Sequence, residues 1–193
     1  MSNLQIIGIL ALIIQLVANF PYIWGIVRGG IRPNRVSFFI FALLAIIAYI
    51  SQAASGATFS NLVTLGLAFN CSLIFLLSLW RGQGGLNRFD LTCLLFAVMG
   101  VIGWKLSNIP VVATISVVIA DAMGLIPTIK KTYFAPDTEG ALAWGMVTVA
   151  AFLSLSTAIG QNWSIWLFPL YSVLGNGTET LLIIYRRQIL KNS

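Results

Sequence analysis

Residues 4–27, LQIIGILALIIQLVANFPYIWGIV, carry no charged side chain, place Gln15 near their middle and put Pro21 beyond it. Residues 110–131, PVVATISVVIADAMGLIPTIKK, likewise place a polar residue, Asp121, near their middle and a proline, Pro127, beyond it. At an offset of 106 residues, without a gap, Gln15 falls on Asp121, Pro21 on Pro127, Asn70 on Asn176 and Arg81 on Arg187. Coincidences among Ile, Leu and Ala mean little in so apolar a chain. Prolines and asparagines inside apolar runs are rare, and their shared register reads as an internal repeat, the feature to establish before any element is assigned.

Outward from these stretches the composition is of one kind. Of 193 residues, 59% are hydrophobic and 8% charged, with a mean hydropathy of +0.94. Soluble domains carry about 25% charged residues, so lipid is the expected solvent for most side chains. Crossing the hydrocarbon layer takes about 20 apolar residues. That ruler divides the chain into seven segments: 4–27, 36–54, 57–80, 89–106, 110–131, 141–159 and 163–186. Gly29-Gly30 with Pro33, Ser55-Gly56, Gly82 to Gly85, Ser107 to Pro110, Pro136 to Gly140 and Gly160 to Asn162 punctuate them. The first segment has neither the basic start nor the small-residue cleavage site of a signal peptide, and is read as a helix.

Ten of the eleven Lys and Arg residues fall on one side of this plan, and only Lys105 on the other. The positive-inside rule then places the N-terminus outside and the C-terminus in the cytoplasm, with a plasma (inner) membrane expected. The net charge of +6 orients the protein rather than binding nucleic acid, since the basic residues form no continuous face. Trp24, Trp80, Trp104, Trp144, Trp163 and Trp166 all fall near segment ends, where an indole rests among headgroups; Trp144 is also a candidate binding residue. Cys71 and Cys93 lack metal or redox spacing, and histidine is absent. No enzyme, metal or cofactor is expected.

Three segments are an odd number, so two three-segment halves enter the membrane from opposite sides unless a further span intervenes. Segment four is that span. The expected fold is an all-α membrane protein of seven transmembrane helices, two parallel three-helix bundles joined by a linker helix: repeat one at 1–88, the linker at 89–109 and repeat two at 110–193. This arrangement, with a proline in the first helix and an asparagine in the third helix of each repeat, resembles the PQ-loop superfamily and, within it, the SWEET and SemiSWEET sugar transporters. The family's Pro-Gln pair reads here as Pro21-Tyr22 and Pro127-Thr128, and Pro33 and Pro136 lie in loops where the SWEET proteins carry a proline in the second helix of each repeat.

Polar groups at the middle of a bilayer are costly and are functional hypotheses by default. Gln15, Asn70, Asp121 and Asn176 lie near their segment centres; Asn19 follows Gln15 by one turn, and Glu179 follows Asn176 by three residues. An asparagine offers two donors and an acceptor for hydroxyls, amides or a zwitterion. The resemblance implies that Asn70 and Asn176 bind substrate, with Gln15 and Asn19 as further candidates. Asp121 and Glu179 are the carboxylates in the segment interiors, Asp90 standing at the very start of its segment, and they are the candidates for proton or cation coupling, as in the lysosomal PQ-loop amino-acid carriers. Pro21 and Pro127 each remove a backbone hydrogen bond and are the candidate hinges. The expected function is alternating-access transport of a small polar solute, a sugar first. The alternatives are a proton-coupled carrier of an amino acid or other small zwitterion or cation, and a seven-helix receptor of the retrieval-signal type. A homo-oligomer is compatible with all three.

Overall fold

A computed structural model describes residues 3–29, 31, 33, 35–82, 88–134 and 136–192, and among these every regular element is helical. The helices are α1 (Asn3–Ala18), α2 (Phe20–Val27), α3 (Arg35–Ala54), α4 (Asn61–Arg81), α5 (Arg88–Ser107), α6 (Pro110–Phe134), α7 (Ala141–Ala158) and α8 (Trp163–Asn192), with a short 3-10 turn at Pro136–Thr138. Four spans among the described residues are long and apolar enough to cross a membrane: Asn3–Val27, Asn61–Arg81, Ala141–Ala158 and Trp163–Lys191. Phe38–Ala54 and Pro110–Leu125 are shorter apolar stretches.

The helix ends follow local chemistry. α3 stops at Gly56, whose φ of +85° lies in the left-handed region that a side chain disfavours. The amides of Gly56 and Ala57 turn back onto the carbonyls of Ala53 and Gln52, a Schellman closure. That turn uses residues 57–60, so α4 begins later than the apolar run itself. Arg35 closes the far end of α4, its Nε donating to Ser78 O at 3.0 Å and its Nη2 to Gly82 O at 2.8 Å. A guanidinium there satisfies end carbonyls and opposes the negative helix terminus. α8 outruns its apolar stretch because Arg186, Arg187 and Lys191 are good helix formers suited to a C-terminal turn.

The first segment is not one helix. It breaks at Asn19, and α2 restarts with Ile23 N donating to Asn19 O at 2.9 Å. Pro21 explains the break: it has no N–H for the carbonyl four residues back, and its ring crowds that carbonyl. α6, by contrast, stays helical through position 127; the Pro127 side chain lies outside the described residues.

Six of the packed units close a ring: α1 lies on α4, α4 on α3, α3 on α6, α6 on α8, α8 on α7 and α7 on α1. α2 touches α4, and α5 lies outside the ring against α6 and, more lightly, α3. α1 and α4 run parallel, since Gly8 meets Phe59 and Gly66 meets Leu12 and Gln15 in rising order. α6 and α8 are parallel too, through Asp121 with Tyr171, Thr132 with Glu179 and Tyr133 with Arg186. One seam is apolar: Ile40, Leu44, Ile47 and Ala48 of α3 interlock with Ala113, Val117 and Ala120 of α6 and Phe168 of α8. The seam around Ala11, Val63 and Ala150 is thinner.

Burial is inverted relative to a water-soluble bundle. Gln15, Gln52, Asn70 and Glu179 are at most 1% exposed, while Phe69, Leu76, Leu174 and Leu181 are about 60% exposed or more. Apolar groups outside and polar groups inside suit a hydrocarbon solvent, where helices associate through small residues and interhelical hydrogen bonds. Ala11, Ala18, Ala113, Ala120, Ala150 and Ala158 are wholly buried and allow that close approach.

Candidate functional site

Along α1 the buried positions are Gly8, Ala11, Gln15 and Ala18, one stripe at helical spacing. Gln15 is therefore turned into the bundle by the same periodicity that hides the alanines. It packs across α4 at Gly66, where an added Cβ would stand 2.9 Å from Leu12 Cδ1 and 3.1 Å from Gln15 Cγ. The missing side chain makes room for the glutamine.

Gln15 lines a small cavity, about 20 Å³, between α1, α4, α7 and α8. Its polar lining comes from Gln15, Thr64, Ser154, Ser172 and Asn176, its apolar walls from such residues as Leu67, Val147 and Phe168. That space is enough for about one water molecule, so admitting a solute would require the helices around it to part. Gln15 Nε2 is buried with no hydrogen-bond partner among the described residues. Leaving such a donor unpaired costs about 1–3 kcal/mol, which a water or solute oxygen in the cavity would recover.

The two asparagines at offset 106 do different work. Asn70 is 1% exposed, is not among the cavity-lining residues, and donates from Nδ2 to the backbone carbonyl of Gln15 at 2.6 Å. That carbonyl belongs to the last turn of α1, where the helix ends before Pro21 and carbonyls want outside donors. Asn70 caps the break. Asn176 lines the cavity, and its Nδ2 donates to Ser172 O at 2.6 Å, one turn back on its own helix. Its carboxamide oxygen is left to act as an acceptor.

The remaining candidate residues lie elsewhere. Asp121 accepts a hydrogen bond from Tyr171 Oη at 2.7 Å, and Tyr171 packs on the apolar seam of α3, α6 and α8. Ser172, the next residue, faces the cavity, so Asp121 and the cavity engage successive positions of α8. Glu179 is fully buried and accepts a hydrogen bond from Thr132 near the end of α6. Asn19 is half-buried at the α1–α2 break and makes no capping hydrogen bond. Trp144 stands in the first turn of α7 with Nε1 3.2 Å from Glu139 Oε2. None of these lines the cavity.

Thr64, Ser154, Ser172, Phe168 and Pro169 were not singled out by the sequence. Hydroxyls are common in apolar helices and bond back to their own carbonyls, so Ser154 carries no signal until its Oγ is seen to donate to Ser60 O at 2.6 Å across the bundle. Pro169 sits inside α8 on the cavity wall. Toward the end of the bundle that carries the 55–60 turn, Thr64 donates to Gln52 Oε1 at 2.9 Å. There Gln52 Nε2, Ser60 Oγ and Asn61 Oδ1 are buried and unpaired among the described residues, a polar trail leading from the cavity. No group of three or more metal-ligating side chains occurs among the described residues. No family model, curated protein or solved structure matches the chain, and the cavity is judged on its own chemistry.

Proposed function

We propose that the chain is a seven-span carrier that moves a small, neutral, hydroxyl-bearing solute, a sugar first, by alternating access through the cavity between α1, α4, α7 and α8. The observation that carries this reading is the lining itself. It combines an unpaired buried carboxamide donor, a second carboxamide, three hydroxyls and an aromatic wall, with no ionised group. Amides and hydroxyls exchange hydrogen bonds with a polyol in either direction, while the Phe168 ring offers an apolar face to a sugar ring. The unpaired Gln52, Ser60 and Asn61 atoms give a solute polar contacts on its way to one end of the bundle.

The three-one-three plan and its orientation belong to the same proposal. Its support is the packing. Contacts of α1 with α4, α3 with α4 and α1 with α7 recur, at offset 106, as α6 with α8, α7 with α8 and α6 with α3. α5 is left outside, as a linker would be. The N-terminus is then outside and the arginine-rich end cytoplasmic.

The proton-coupled amino-acid carrier is the second reading. It rests on Asp121, held by Tyr171 one residue from a cavity-lining position. An amino acid, however, brings both charges into a cavity whose lining has none to pair with them. Uptake of labelled glucose, sucrose and pooled amino acids into proteoliposomes separates the two, at equal pH and with an imposed proton gradient. Sugar uptake indifferent to the gradient and exchanging in counterflow is expected. Amino-acid uptake that follows the gradient would overturn the neutral-solute reading, and binding without counterflow would make the protein a receptor.

A further inference from the structure

Arg81 and Arg187 occupy the same position at offset 106 but have different surroundings. Arg187 is neutralised: Nε lies 3.3 Å from Asp137 Oδ1, and Nη2 donates to Glu139 O at 2.6 Å and Pro136 O at 3.2 Å. Arg81 has no acidic partner among the described residues; its guanidinium lies 4.2 Å over the Trp80 ring. Its Nη1 would be 2.7 Å from a Cβ on Gly29, so it reaches the chain next to residue 28. Among the described residues Arg28 likewise pairs with a ring rather than a carboxylate, 4.7 Å over Trp24. Arg28 and Arg81 thus stand at one corner, where α2 and α4 end, with no acidic partner among the described residues, and Arg35, bound to the Ser78 and Gly82 carbonyls, stands at the same end of α4.

The surface leading to that corner is apolar. Phe20, Trp24 and Arg28 follow at four-residue spacing on one face of α2, with Phe20 stacked on Trp24 at 6.3 Å. Phe20 is 62% exposed, and Trp80 and Leu76, one turn apart on α4, are 64% and 60% exposed. Aromatic and aliphatic groups therefore run along the bundle wall toward the corner that carries Arg28 and Arg81.

We propose that this α2–α4 corner binds an anionic phospholipid, with its phosphate between Arg28 and Arg81 and its acyl chains along Phe20, Trp24 and Leu76. Guanidinium groups recognise phosphate oxygens through paired N–H donors, and a ring face beneath each one keeps it oriented. The apolar approach selects a lipid over free phosphate.

Native mass spectrometry of the purified full chain, titrated with phosphatidylglycerol, phosphatidylcholine or inorganic phosphate, tests this. Phosphatidylglycerol is expected to bind preferentially, and Arg28→Gln with Arg81→Gln to weaken it about thirtyfold, at about fivefold per arginine. Arg186→Gln removes one charge from the same end but from the other repeat, and leaves the preference within about threefold of wild type. Equal binding of the two lipids, an unaffected double variant, or phosphate competing at matched concentration would each overturn the proposal. If the double variant does not fold, wild-type protein in vesicles containing either brominated lipid decides: stronger tryptophan quenching by brominated phosphatidylglycerol supports the site, and equal quenching refutes it.

Discussion

Replacing Gln15 with methionine is expected to raise stability and weaken solute binding at once, a combination that a merely structural glutamine does not produce. Methionine keeps the length and unbranched shape that fit against Gly66 but has no donor. In the wild type, Nε2 is buried without a partner among the described residues, a state that costs about 1–3 kcal/mol. Polar groups in membrane bundles yield less than that, on average about 0.6 kcal/mol, so a gain of about 0.5–1.5 kcal/mol in folding stability is a fair expectation. With solute bound, the same donor makes a neutral hydrogen bond contributing about 0.5–1.5 kcal/mol net. Its loss weakens binding about two- to tenfold. Thermal unfolding in detergent, with and without solute, reads both quantities on one sample. The solute-free transition should move up, and the stabilisation by saturating solute should shrink. A variant that is less stable without solute, or that keeps the full solute-dependent shift, would refute the reasoning and return Gln15 to a packing role.

The other substitutions probe the rest of the arrangement. Asn70→Leu removes the donor that caps the Gln15 carbonyl; stability should fall by about 1–2 kcal/mol, measured by the same unfolding assay, whereas Asn176→Leu should reduce initial uptake rates with a smaller loss of stability. Gly8→Ala is expected to be more damaging than Gly66→Ala, because its Cβ would meet Phe59 Cβ at 2.7 Å and Phe59 O at 3.0 Å. At Gly66 the collision is with the movable ends of Leu12 and Gln15, and overpacking of this sort costs about 1–3 kcal/mol. Asp121→Asn keeps an acceptor for Tyr171 and should leave sugar uptake flat across an imposed proton gradient; a gradient dependence that disappears in this variant would favour the coupled carrier.

Some of this was legible before any coordinates. The helical class follows from apolar runs long enough to satisfy their own backbone in lipid. Helix ends at Gly56 and Gly160 are visible as punctuation, and Gln15 is identifiable as a buried polar residue from its place in an apolar stripe. The roles of the symmetric pairs were not legible. Asn70 and Asn176 look alike in sequence, yet one completes a broken helix and the other faces a cavity. The difference originates in two prolines with unequal consequences: α1 ends before Pro21, while α6 remains helical through position 127. A proline makes a break available, and neighbouring helices decide whether it is used.

The sequence by itself determined the apolar helices, the offset of 106 residues and the confinement of Arg and Lys to the ends of the apolar runs and the breaks between them, because each depends only on the order of residues and the cost of burying charge. Tertiary structure decided where the cavity lies. Ser154 and Thr64 line it, while at the same offset Ala48 lies buried in the apolar seam of α3, α6 and α8 and Leu170 replaces the threonine. One side of the ring is therefore filled and the other is left with space and hydrogen-bonding groups. Whether a polar side chain is capped, paired or offered to a solute depends on which helix packs opposite it, and that partner is set by the closing of the ring.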